Sequence, residues 1–158
     1  MEIVDIRIID IIGKWFIMRL FTEKNTITIQ NSCLFGNDAP SIFLRVLYRL
    51  AKKKSVEEYI KWDEESGAYI WILIKEEDDL TIEIWSSLST LNFFYDGKEI
   101  LREKRNELLF EVKTSFYFFT QNVIDEFENN KSIFNKEAVE YEFPTKVLME
   151  LKKIIGYR

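Results

Sequence analysis

Two clusters of adjacent carboxylates are the residues of this chain best suited to chemistry. Glu76, Glu77, Asp78 and Asp79 stand between two strand-like apolar runs in the stretch YIWILIKEEDDLTIEIW (69–85), and Asp63, Glu64 and Glu65 precede it. Carboxylates grouped in this way can hold a hard cation or meet a Lys/Arg-rich partner. A calcium loop spaces its oxygen ligands at alternating positions, bends at a glycine and closes on a bidentate Glu. Four consecutive acids on a short turn have no such spacing and point in different directions, so no metal is expected. The tip reads as the solvated turn of a hairpin, which also discourages edge-to-edge aggregation. Its functional alternative is an acidic contact for a basic partner. If 57–63 pairs with 68–75, the two clusters lie at opposite ends of the shared strand, about 20 Å apart at ~3.3 Å rise per residue. They cannot share one ion. Asp63, Glu64, Glu65, Glu76, Glu77, Asp78 and Asp79, together with Trp85, are the candidate partner-binding residues.

The residue types that are missing restrict the chemistry further. Among 158 residues there is no histidine and a single cysteine, Cys33. No Ser-His-Asp or Cys-His nucleophile pair can form, and no imidazole is available as a base or metal ligand. Cys33 reads as a small buried residue with no neighbouring group to activate it. The five glycines are scattered singly, with no G-x-G-x-x-G, phosphate loop or G-x-S-x-G. No cofactor and no catalytic residue is assigned.

Charge is distributed unevenly. Residues 1–54 carry a balance of +4, residues 55–96 a balance of −9, and residues 97–158 a balance of zero, giving −5 for the whole chain. The acidic middle third repels phosphate, so nucleic acid is not an expected partner. Arg45, Arg49, Lys52, Lys53 and Lys54 form a basic helix face, which reads as a solvated surface with cations near the helix C-terminus. The start, MEIVDIRIIDIIGKW, is broken by Asp5, Arg7 and Asp10, unlike a secretory signal, and no run of apolar residues is long enough to cross a membrane. A cytoplasmic location is the expectation.

The elements that would position these residues follow from hydrophobic periodicity. Residues 3–12, 14–22 and 26–31 read as strands, with Val4, Ile6, Ile8 and Ile12 sharing one face of the first. The second is apolar on both faces and therefore central. Asp38 and Pro40 open a helix carrying Phe43, Val46, Leu47 and Leu50 on its apolar face. Residues 56–62 fit either a short capped helix or a strand, and Tyr, Ile and Trp favour the strand. In 68–75 both faces are apolar, so this strand lies inside a sheet. In 80–86, Leu80, Ile82 and Ile84 face the core. NFFY (92–95), Asp96-Gly97 and KEILRE (98–103) read as another hairpin, followed by a strand over 108–113. Thr114 or Ser115 caps a helix with Phe116, Phe119, Val123, Ile124 and Phe127 inward. Residues 131–142 read as irregular, and Pro144 opens a last helix ending at Gly156. Tyr117, Phe118 and Trp85 fall off the inward faces.

The expected fold is one α+β domain, with a mainly antiparallel sheet of six to eight strands and three helices packed on it. The expected function is that of a non-catalytic acidic binding protein. An inhibitor or immunity-type protein that neutralises a basic partner, such as a nuclease-like toxin, fits this reading. The alternatives are an enzyme or small-molecule binder with carboxylates in a pocket, and a subunit that forms homo-oligomers through spare aromatics. From the ligand chemistry, millimolar calcium or micromolar zinc is expected to leave the melting temperature unchanged. A chelator-reversible rise in thermal unfolding would refute this, since a ligand at a thousandfold its dissociation constant stabilises by about 4 kcal/mol.

Overall fold

The structure is a computed structural model that describes residues 1–34, 36–88 and 97–157. The chain begins with a three-stranded antiparallel sheet, β1 (Asp5–Ile12), β2 (Trp15–Phe21) and β3 (Thr26–Ser32), in the order β1-β2-β3. Helix α1 (Ala39–Ala51) leads to a second antiparallel sheet of four strands. These are β4 (Ser55–Asp63), β5 (Ala68–Glu76), β6 (Asp79–Ser87) and β7 (Leu108–Ser115), neighbours in that order. Helix α2 (Lys98–Glu103) lies between β6 and β7. Helix α3 (Phe116–Asn129), a 3₁₀ turn over Lys131–Asn135 and helix α4 (Thr145–Ile155) complete the described residues. The α+β class agrees with the sequence, but the strands divide into two sheets of three and four, with four α-helices among the described residues. No described helix is long and apolar enough to cross a membrane.

The inner faces of both sheets meet the helices in one aromatic core. Phe16 of β2 stacks at 6.3 Å on both Trp62 of β4 and Phe127 of α3. Phe43 of α1 meets Trp62 and Trp71 edge-on at 5.8 and 5.4 Å, and the two indoles lie 5.0 Å apart. A second, smaller cluster occupies the opposite face of the four-stranded sheet, where Leu101 of α2 covers Tyr59, Ile70 and Ile72. This explains why β5 is apolar on both faces. It also explains a correction, because KEILRE is a helix and not a strand. Its Leu101 docks on a sheet face that already has neighbours on both sides, and Arg102 reaches the Tyr59 hydroxyl at 3.0 Å. The expected partner arm, 92–95 with Asp96, lies outside the described residues.

The caps behave as their residue types require. The Asp38 carboxylate accepts from Ser41 N–H at 3.3 Å, Ser115 Oγ accepts from Phe118 N–H at 3.3 Å, and Gly156 closes α4 at φ 65°. Residues 56–62 are strand, paired with β5 from Ser55↔Glu76 to Asp63↔Ala68. In β1 the expected face is interrupted. A bulge between Ile8 and Asp10 shifts the register by one residue, so Ile11 is buried while Ile12 is 59% exposed. Asp10 stabilises the bulge by accepting from Ile11 N–H at 2.8 Å and from Lys136 Nζ at 2.5 Å, and the lysine holds its carboxyl below the usual range. Within 131–142, Ile133, Phe134 and Tyr141 turn inward against the core, so this stretch is more ordered than its polarity suggests.

No backbone ladder joins β3 to β4, and a side-chain network links them instead. Asn31, fully buried, accepts on Oδ1 from Asp63 N–H (2.8 Å) and Asn37 Nδ2 (3.3 Å). Its Nδ2 donates to Asn37 O and to the Tyr141 hydroxyl, each at 3.0 Å. All four bonding positions of the amide are used. The Tyr141 hydroxyl in turn lies 2.8 Å from Lys14 O and 2.9 Å from Asn31 O, and burial pushes its pKa far up. Asn31→Ala strips this network of its centre: Asp63 N–H loses the oxygen that accepts from it, Asn37 Nδ2 loses one of its acceptors, and Asn37 O and the Tyr141 hydroxyl lose a donor. At ~1–3 kcal/mol per orphaned group, a loss above ~3 kcal/mol is expected in urea unfolding. Tyr141→Phe should cost less, about 1–2 kcal/mol. A loss under ~1 kcal/mol for Asn31→Ala would show that the network does not bind the sheets together.

Candidate functional site

The two acidic clusters lie at opposite ends of β5, as the register demands, and each has local structural work. Asp63 is 5% exposed; its carboxylate accepts from Asn37 Nδ2 at 3.0 Å and lies 3.6 Å from Lys61 Nζ. The β4–β5 turn that follows places Glu65 at φ 69° and brings Gly67 so close to the Ser87 carbonyl that a Cβ there would sit 2.8 Å from it. Glu65 pairs with Lys14 at 3.1 Å, which holds its carboxyl low. Partial burial raises the Glu64 carboxyl, and burial beside Glu64 pushes the Tyr69 hydroxyl up to about 12. This end of the sheet is a packed polar joint. Cys33 sits nearby, half-buried, with its thiol raised by desolvation.

At the other end, Glu77 and Asp78 form the two-residue connection between β5 and β6, with Glu77 in the left-handed region at φ 53°. Glu77 N–H donates to Lys54 O at 2.7 Å. Asp78 caps the start of α3: its carbonyl accepts from Phe116 N–H (2.7 Å) and its carboxylate accepts from Tyr117 N–H (3.0 Å) and Ser115 Oγ (2.6 Å). A carboxylate at a helix N-terminus satisfies free N–H groups and meets the positive end of the helix dipole. The tip is therefore not merely solvated, because one of its four acids holds a helix.

Glu76 and Asp79, by contrast, face each other across the hairpin on the outer side of the four-stranded sheet. Strand alternation places Thr81, Glu83 and Trp85 on that same side of β6, and Glu111 and Lys113 on that side of β7. Glu83 pairs directly with Glu111, and Thr81 with Lys113. Side chains so placed have Cβ atoms ~5 Å apart, and like charges there repel. Among the described residues, no ion pair reaches Glu76, Asp79, Glu83 or Glu111; Glu83 accepts only from Trp85 Nε1, at 2.9 Å. Trp85 closes the patch at its far end, half-buried under the Arg105 guanidinium 4.8 Å above its ring. The part of the outer face formed by the β5–β6 hairpin end, β6 and β7 thus carries Glu76, Asp79, Glu83 and Glu111 with Lys113 among them and Arg105 at the Trp85 end. Sequence reasoning marked Glu76, Asp79 and Trp85 but missed Glu83 and Glu111. The alternation of 80–86 contained the signal for Glu83, whereas Glu111 joins the patch only through strand pairing.

Other surfaces are less coherent. A hollow of ~740 Å³ opens between α1 and α4, where Arg45, Arg49 and Lys146 alternate with Glu142 and Glu150. Arg49 is already paired with Glu58 at 2.7 Å, and Lys52 lies over the Tyr48 ring at 4.3 Å. Phe118 is 65% exposed, edge-on to Tyr117, and is not on the face that holds Trp85. Among the described residues, no group of three or more Cys, Asp or Glu side chains is arranged to hold a metal ion. No protein-family model matches the chain, and neither a curated protein nor a solved structure shows significant similarity to it.

The division of labour at the tip can be measured. Asp78→Ala should cost ~1–2 kcal/mol, as for a lost helix cap, whereas Glu76→Gln should change stability by less than ~0.5 kcal/mol. Equal effects of the two substitutions in denaturant melts would contradict the assignment of Asp78 as the cap.

Proposed function

We propose that the protein is a non-catalytic binding protein that takes a basic partner onto the β6–β7 part of the outer face of its four-stranded sheet, beside α2. The observation carrying this reading is the directly opposed pair Glu83 and Glu111, extended by Glu76 and Asp79 and neutralised by no ion pair among the described residues. Opposed like charges cost stability in the free protein, and a cationic partner converts that cost into attraction. Complementary charge of this kind raises association rates and rejects acidic competitors. A rigid antiparallel sheet suits the task because capture requires no ordering of loops. The inhibitor or immunity class fits best: the face would cover the positive substrate-binding surface of a basic protein, such as a nuclease-like toxin.

The test uses the basic proteins retained from an extract of the source cell, followed by binding kinetics on the purified partner. Glu83→Lys combined with Glu111→Lys is expected to slow association by about tenfold or more and to remove most of its salt dependence between about 50 and 500 mM. Reversal of Arg45 and Arg49 should leave the rate nearly unchanged. An on-rate indifferent to the acidic reversal, with binding lost on the basic reversal, would transfer the site to α1.

A further inference from the structure

The outer face of the three-stranded sheet is uncovered and repeats the same pattern with the opposite sign. Its successive cross-strand rows are Asp5–Phe21, Arg7–Arg19 and then, past a bulge that exposes Ile9 (42%), Asp10–Ile17, with Asp10 paired to Lys136. On the four-stranded sheet the rows are Thr81–Lys113, Glu83–Glu111 and then, past a bulge that exposes Leu109 (41%), Trp85–Leu108. Two arginines in one row correspond to two glutamates in the other. The row on one side contains an acid in the first sheet and a lysine in the second, and on the other side each charged row is followed by a bulge that exposes one aliphatic side chain, Ile9 or Leu109. Rows on one face of a strand repeat every two residues, ~6.6 Å, whichever sheet they belong to. Both arginines are exposed, and no ion pair reaches them among the described residues; Arg19 Nε only donates to Thr28 Oγ1 at 3.1 Å.

We infer that the partner matched to the acidic face is a second copy of this chain, presenting the outer face of its β1–β2–β3 sheet. Strands β1 and β2 of one copy would lie on the β6–β7 part of the outer face of the next, beside α2, with Arg7 and Arg19 against Glu83 and Glu111. Each charge row then relieves the repulsion in the other, and Ile9 and Leu109 lose exposed apolar surface together. Because the two faces belong to different sheets, the contact is head-to-tail and leaves one free face of each kind at the ends of a chain of copies. Two strands at ~4.8 Å spacing and ~7 residues of length give a footprint of about 10 by 23 Å. That is smaller than a permanent interface, so the assembly is weak, reversible and salt-sensitive. A foreign basic protein would compete for the same acidic face. The inference rests on that face being a binding surface.

Sedimentation equilibrium over a wide concentration range tests it. Wild type should rise in weight-average mass with concentration at about 50 mM salt and return to monomer at about 500 mM. Arg7→Glu with Arg19→Glu should be monomeric alone, as should Glu83→Lys with Glu111→Lys, while an equimolar mixture of the two variants associates, both through the native face that each retains and through the exchanged charges. Far-UV circular dichroism checks that each is folded. If the glutamate variant is not, Arg7→Gln with Arg19→Gln removes both charges along with their mutual repulsion and should also be monomeric. Monomeric wild type at low salt, self-association of the arginine variants equal to wild type, or a mixture that stays monomeric would each overturn the inference. If wild type is monomeric while the glutamate reversal still abolishes capture of a basic protein, self-association fails and the acidic-face reading stands.

Discussion

The arrangement of the two sheets depends on one buried amide. Strands β3 and β4 share no ladder of backbone hydrogen bonds, so the seam between the sheets has no repeating interaction to hold it closed. Asn31 bridges it with a side chain whose two acceptor and two donor positions are all occupied, and whose partners come from β4, from Asn37 and from Tyr141 near the C-terminus. A buried amide in this state fixes geometry, because any sliding of the sheets breaks several bonds at once in surroundings that offer no water to replace them. Phe16 and Trp62, one from each sheet, stack within that fixed geometry.

With the seam fixed, the outer faces of the two sheets are set on a rigid body. Each carries a like-charge pair that sheet stability alone would not favour, Arg7 with Arg19 on one and Glu83 with Glu111 on the other. Bulges adjoin both pairs, and a bulge re-aims side chains and adds twist to its strand. Local unfavourable charge on a rigid, well-packed support is the arrangement expected of surfaces that meet something else.

The acidic turns illustrate how one residue type serves different ends. Asp63 satisfies Asn37 inside the joint, Glu65 pairs with Lys14, and Asp78 caps α3, while Glu76 and Asp79 remain on the outer face. All of them belong to two short runs that look uniform in the chain. Their roles diverge because strand alternation and the neighbouring helix give each carboxylate a different direction and a different set of donors.

The sequence by itself determined the elements whose causes are local. Asp38 and Pro40 start α1, Ser115 starts α3 and Gly156 ends α4 because caps act within one turn of the chain. The central position of β5 and the inward face of β6 follow from side-chain alternation along each strand. Only the tertiary structure decided what depended on residues far apart. The β1 bulge relies on Lys136 holding Asp10, and it reverses the facing of Ile11 and Ile12 despite a period-two pattern that favours Ile12. KEILRE became a helix because Leu101 covers Ile70 and Ile72, an apolar surface that no propensity of its own six residues reports. The division into two sheets, the amide at their seam and the meeting of Glu83 with Glu111 all arise from pairings between distant segments. Hydrophobic pattern records that a residue is buried or exposed, but carries no address for the residue it will face.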